Sequence, residues 1–269
     1  MITLELSEFI KLCESMEKGI ELDGTPDNDT LFGSVLADTL RGLGGDDALY
    51  GQAGTDRLYG DEGFDVLYGN NGDDYLFGGK DPDCLFGGKG ADSLRGGNDE
   101  DALVGDAGND TLIGDLGIDR LWGGEGADLF IFRRDQAAPP QVIGNPQPIV
   151  GEDGLVQIDV LPADIILDYR VDQGDQIGLT GGLTANDLIL TEQFLKIGDA
   201  RDYAIDGPYP PNTPRTLDFQ ITVFAATVIQ EAATGNILGV VREVAPKDIQ
   251  FVSVDELGRV RSDDHYLHM

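Results

Sequence analysis

Twelve aspartates recur every nine residues in the first half of the chain: Asp29, Asp38, Asp47, Asp56, Asp65, Asp74, Asp83, Asp92, Asp101, Asp110, Asp119 and Asp128. Five residues before each stands a glycine: Gly24, Gly33, Gly42, Gly51, Gly60, Gly69, Gly78, Gly87, Gly96, Gly105, Gly114 and Gly123. More glycines fall between, at the second place of the nine (Gly79, Gly88, Gly97, Gly124) and at the fourth (Gly45, Gly54, Gly63, Gly72, Gly90, Gly108, Gly117, Gly126). Carboxylates at a fixed interval, beside glycine-rich segments that expose backbone carbonyls, form a supply of hard oxygen ligands. Calcium takes about six to eight such oxygens and accepts carbonyls with carboxylates, whereas magnesium keeps its waters. Zinc and copper want imidazole or thiolate, and this tract has no histidine and one cysteine.

Something must hold these residues in register. The eighth place is leucine eleven times, from Leu31 to Leu121, and then Phe130. Twelve units thus cover residues 24–131 without insertion or deletion. Each reads as a tight glycine turn followed by a short strand with one inward apolar side chain. Two units make one coil of 18 residues, and stacked coils bury a leucine ladder that no single unit could bury. Stacking also aligns the aspartates in columns. The tract holds 23 acids against 6 bases, so those columns repel unless a cation lies between them.

The whole chain of 269 residues carries a formal charge of −32. That excludes nucleic acid and an anionic membrane surface as natural partners. No stretch is long and apolar enough to span a bilayer. Nothing resembles an enzyme centre: HExxH and GxSxG are absent, and the two histidines, His265 and His268, sit in the C-terminal tail. Cys13 and Cys84 have no metal or redox spacing, and they read as free thiols or one disulfide.

Units such as GGKGADSLR and GGEGADLFI match GGxGxDxUx, the repeat of RTX proteins. The chain therefore resembles an RTX, or hemolysin-type, calcium-binding protein over all twelve units. The resemblance implies an all-β fold, a parallel β-roll with each calcium between loops two units apart on one edge. The sixth-place aspartates and carbonyls from the first four places would bind it, with at most ten ions in the roll. It also implies export without a cleaved N-terminal signal, and the N-terminus lacks the basic start and apolar core of a Sec signal. A secreted structural or interaction protein that folds on meeting calcium is the first reading. An intracellular calcium buffer or sensor is the alternative, and an accessory module of an enzyme comes last. Several loops depart from the pattern: Leu36 and Ala37 in the second, Leu43 at a second place, and Asp27, Asp81 and Asp99 at fourth places. The strongest sites then use loops from Gly42 to Asp128.

The flanks complete the expected architecture. Residues 1–23 form an N-terminal cap, with helical spacing of apolar side chains over 4–20 and Ser7 as N-cap. Residues 132–163 read as a linker or long loop, and 164–269 as a β-rich C-terminal cap domain. Strands are expected at Asp164–Tyr169, Gln176–Leu179, Asp218–Glu231, Ile237–Val244 and Asp248–Val254, with a hairpin turn at Ala233–Asn236. The stretch DIILDYRVDQGDQIGLTGGLTANDLIL is similar to the segment after the repeats in cyanobacterial-type RTX proteins. Odd and even units should face opposite sides. The odd face carries Phe32, Tyr50, Tyr68, Phe86, Val104 and Trp122 at its ninth places. Such an apolar strip suits contact with another part of the chain, a second copy or a partner protein.

Overall fold

The computed structural model describes residues 18–133, 149–150, 156–157, 163–197 and 222–254. The helix expected over 4–20 lies outside them apart from its last three residues, as do Cys13, both histidines and most of 132–163.

Each nonapeptide gives one strand, and successive strands alternate between two parallel sheets. The even-unit sheet holds β1 (Glu21–Asp23), β3 (Thr39–Gly44), β5 (Arg57–Glu62), β7 (Tyr75–Lys80), β9 (Ser93–Asn98), β11 (Thr111–Leu116) and β13 (Leu129–Phe132), side by side in that order. The odd-unit sheet holds β2 (Thr30–Phe32), β4 (Ala48–Ala53), β6 (Val66–Asn71), β8 (Cys84–Lys89), β10 (Ala102–Ala107) and β12 (Arg120–Glu125). The register is the repeat itself: Leu40 faces Leu58, Leu58 faces Leu76, and Leu49 faces Leu67, each 18 residues on.

The eighth-place side chains from both sheets meet inside. Leu40, Leu49, Leu58, Leu67, Leu76, Leu85, Leu103, Leu112, Leu121 and Phe130 are fully buried. Each such leucine contributes about 1.5–3 kcal/mol, which holds the loops in stacked register. Outside, ninth-place rings of the odd sheet stack in a file. Phe32–Tyr50, Tyr50–Tyr68 and Tyr68–Phe86 have centroids 4.9–5.0 Å apart and planes within 11°. Phe32 ends the file and is exposed, whereas Val104, further along the same face, is buried.

The sheets run on past the last nonapeptide. In the odd sheet, β16 (Ile165–Ile166) pairs in parallel with β12, and β20 (Ile237–Arg242) with β16. In the even sheet, β17 (Gln176–Leu179) pairs with β13, and β21 (Phe251–Ser253) with β17. A long antiparallel pair, β18 (Leu188–Ile197) and β19 (Thr222–Glu231), extends the odd sheet beyond β20. The β19–β20 hairpin turns at the anticipated Ala233–Asn236, with Gly235 at φ 75°. β18 was not anticipated. A further antiparallel pair joins β14 (Ile149–Val150) to β15 (Val156–Gln157).

Two contacts bind this extension to the last coils. A methyl at Gly239 would lie within 2.1–2.4 Å of the buried Phe132 ring, so only glycine lets β20 approach. The buried Tyr169 hydroxyl donates to the Asp175 carbonyl at 2.6 Å and accepts from the Gln250 N–H at 2.9 Å, tying three segments together.

Candidate metal centre

The aspartates form two columns, one at each edge where the chain passes between sheets. Within a column each backbone N–H donates to the Oδ1 of the aspartate one coil later. The distances are 2.7 Å for Asp29 to Asp47 and Asp38 to Asp56, and 2.8 Å for Asp47 to Asp65, Asp56 to Asp74, Asp65 to Asp83, Asp74 to Asp92, Asp83 to Asp101, Asp92 to Asp110 and Asp101 to Asp119. Asp110 to Asp128 closes at 2.9 Å. The carbonyl of the same residue accepts an N–H from the next coil, as Asp47 does from Val66. Each column is therefore laced by backbone, and the aspartates from Asp38 to Asp128 are buried.

One oxygen of each carboxylate is then used and the other is left over. The Oδ2 atoms of Asp47, Asp56, Asp65, Asp74, Asp83, Asp92, Asp101, Asp110, Asp119 and Asp128 are buried without any hydrogen-bond donor. A buried carboxylate oxygen in that state is costly. Burial pushes the carboxyls up, to about 7 at Asp56, Asp65, Asp92 and Asp110, about 9 at Asp83 and about 10 at Asp101. Asp119 and Asp128 are raised to about 6, and Asp47 and Asp74 are also raised, again by burial. Without a cation, burial favours the protonated form along both columns, and at Asp83 and Asp101 it does so even at neutral pH.

The first-place glycines abut these oxygens. A methyl on Gly60 would lie 2.3 Å from the Asp65 Oδ2 and 2.6 Å from the Gly78 carbonyl oxygen one coil later. The same pair, own-unit carboxylate and next-coil carbonyl, recurs at Gly42, Gly51, Gly69, Gly78, Gly87, Gly96 and Gly105. At Gly114 and Gly123 only the own-unit carboxylate comes close. From the Gly42 loop onward the backbone turns left-handed at the second place, at φ 79° for Leu43, 83° for Gln52 and 77° for Asp61. It does so again at the fourth place, where Asp81 and Asp99 take over from glycine at φ 67° and 72°. Bulk at Leu43 has therefore not changed the loop. The first two loops differ: neither Thr25 and Asp27 nor Ser34 and Leu36 is left-handed.

Among the described residues, no three acidic, histidine or cysteine side chains converge as a metal cluster. A cation at these columns would draw much of its shell from carbonyls. That donor set fits calcium: hard oxygens, unpartnered charge, and carbonyls brought alongside by the close approach of glycines.

Two acids that the repeat pattern did not mark continue the columns, and a third lies beside them. Asp164 accepts from the Asp119 N–H at 3.3 Å, and Asp175 from the Asp128 N–H at 3.1 Å. Asp168 accepts from Gly123 and Gly124 at 2.8 and 3.0 Å. Their signal was half a repeat: Asp164-Ile165-Ile166 and Asp175-Gln176-Ile177 keep the aspartate and the inward apolar residue without the glycine half.

The even face carries a groove of about 690 Å³ beside Phe77, Gly79, Gly97 and Asp115. Arg95 and Arg133 both pair with the buried Asp115, and Arg95 lies 5.8 Å from the Phe77 ring centre. No helix among the described residues is long and apolar enough to cross a membrane.

The family model described as the RTX calcium-binding nonapeptide repeat matches four times, over residues 23–58, 50–83, 83–112 and 104–135. No curated protein matches the chain.

Proposed function

Because residues 23–135 are RTX calcium-binding nonapeptide repeats, we propose that this protein is a β-roll that folds on binding calcium and acts outside the cell. Its role there is structural or interactive, not catalytic. The observation that carries the reading is the set of ten buried, unpartnered Oδ2 atoms along two aspartate columns. Such a roll is assembled only when something compensates that charge, so binding and folding are coupled. The sites form only when loops stack, which favours weak, cooperative binding suited to extracellular calcium at about 0.1–1 mM rather than the ~1–10 nM affinity of cytosolic buffers.

Far-UV circular dichroism of the chain, titrated with calcium from chelator upward against a magnesium control, tests this. A steep gain of β signal at sub-millimolar to millimolar calcium, absent with magnesium, is expected. A nanomolar midpoint would turn the reading to an intracellular buffer, and full structure in chelator would end it.

The odd face supports the interaction role as a contact for a second copy or a partner protein. Tyr50→Lys with Tyr68→Lys removes the middle of the stacked file and is expected to abolish any self-association seen by sedimentation. If the oligomeric state and stability stay as they were, the face is only a surface.

A further inference from the structure

The first two loops hold their aspartates differently from all later repeats. At Asp29, the Thr25 N–H donates to Oδ2 at 2.6 Å and the Thr25 hydroxyl at 2.8 Å. At Asp38, the Ser34 N–H donates to Oδ2, and the Ser34 hydroxyl reaches Oδ1 at 3.1 Å. Neither Oδ2 is among the unpartnered set. The first-place glycines of these loops sit as they do in the interior. A methyl on Gly24 would meet the Asp29 Oδ2 at 2.9 Å and the Gly42 carbonyl at 2.6 Å, and one on Gly33 the Asp38 Oδ2 at 2.7 Å and the Gly51 carbonyl at 2.3 Å.

The cause lies in one peptide. From Leu43 onward the second-place residue has positive φ. At Thr25 and Ser34 it does not, and the N–H of that residue points at the carboxylate. An N–H presents the positive end of its dipole, and a hydroxyl adds a second donor. A gap that receives two donors has its negative charge answered and meets a cation with the wrong sign.

We propose that Thr25 and Ser34 close the first two inter-loop gaps, so that the calcium ladder starts at the Gly42 loop. Pairing loops two units apart then leaves eight sites, from Gly42–Asp47 to Gly105–Asp110, each with an unpartnered Oδ2 beside a next-coil carbonyl. The N-terminal coil is a plug made of protein donors, and it rests on the calcium reading above.

Calcium per chain, counted by native mass spectrometry and by equilibrium dialysis with elemental analysis, tests this. Eight ions are expected on the wild-type chain at saturation, and eight on Asp29→Asn with Asp38→Asn, which leaves the backbone donors in place. Asp65→Asn with Asp74→Asn should lower the count, and Thr25→Gly with Ser34→Gly should raise it toward ten. Ten ions on the wild-type chain, or a loss of two from Asp29→Asn with Asp38→Asn, would overturn the plug while leaving the calcium roll intact. A count that stays at eight in Thr25→Gly with Ser34→Gly, with circular dichroism showing a folded roll, would overturn the assignment to these two side chains. No calcium on any variant would sink the underlying reading too.

Discussion

The interior coils and the end coils of this roll use the same aspartate for different work. In the interior, Asp65 accepts the Asp47 N–H on Oδ1 and leaves Oδ2 unpartnered. At the N-terminal end, Asp29 has Thr25 on that second oxygen. At the C-terminal end, Asp175 takes the Asp128 N–H on Oδ1 and the Arg170 N–H on Oδ2 at 2.7 Å. The ends are satisfied by protein and the middle is not. Side-chain type therefore does not decide whether an aspartate is available to a cation. On the plug proposal, the direction of one neighbouring backbone dipole does.

The comparison breaks most severely through loop stacking. Gly72 sits at φ 128°, and a methyl there would lie 1.6 Å from the Gly54 carbonyl oxygen. Gly72→Ala should cost about 1–3 kcal/mol from backbone strain alone, with the overlap added, read as a lower melting temperature at saturating calcium. Gly44→Ala, whose nearest neighbours are 3.8 Å away, should stay within about 0.5 kcal/mol.

A smaller change separates metal from stacking. Gly60 has no positive φ, so a methyl there meets the Asp65 side chain and the Gly78 carbonyl oxygen without the strain of a left-handed backbone. Gly60→Ala should move the calcium midpoint of folding upward; a lost site is worth up to ~2.7 kcal/mol at calcium a hundredfold above its Kd. An unchanged midpoint would place the cation elsewhere.

Acidity sharpens the contrast further. Burial raises the interior carboxyls above the ordinary value near 3.8, to between about 6 at Asp128 and about 10 at Asp101. A raised folded-state value makes protonation favour the fold, a contribution fully present below about 4 and lost as pH rises through that range. In chelator, β structure should therefore grow as pH falls from about 9 toward 4. With calcium the sign reverses, because the cation needs ionised carboxylates, and the midpoint should rise as pH falls. Circular dichroism in both series checks the pair of slopes.

The least effect is expected at the plug. Thr25→Ala keeps the N–H and removes the hydroxyl's bond to Asp29 and its contact with the Asp27 backbone, so it should cost about 0.5–1.5 kcal/mol, equally with and without bound calcium.

The repeat made the roll legible from sequence, because an eighth-place leucine and a sixth-place aspartate at constant interval permit one stacking register. The even and odd faces followed from strand alternation. The continuation through β16, β17, β20 and β21 was harder to see, since those coils keep the strand and lose the glycine loop. Asp168 shows why: it takes the register position of a first-place glycine opposite Gly123, so the pattern ends where the fold does not. The plug was hidden for another reason. Thr25 and Ser34 look like tolerable replacements for a small residue, and only the backbone geometry reveals that they turn a donor inward.

The lacing of each column has one more consequence. Parallel strands sit about 4.8 Å apart, so each edge is a line of potential negative charges at that spacing. Unit charges in water interact by the thermal energy at about 7 Å. With its carboxylates ionised, a stacked edge is therefore a short polyelectrolyte, dense enough to gather a counterion atmosphere. Ordinary monovalent salt would compete for that atmosphere, and the roll's assembly would depend on ionic strength in the way a charged polymer's condensation does.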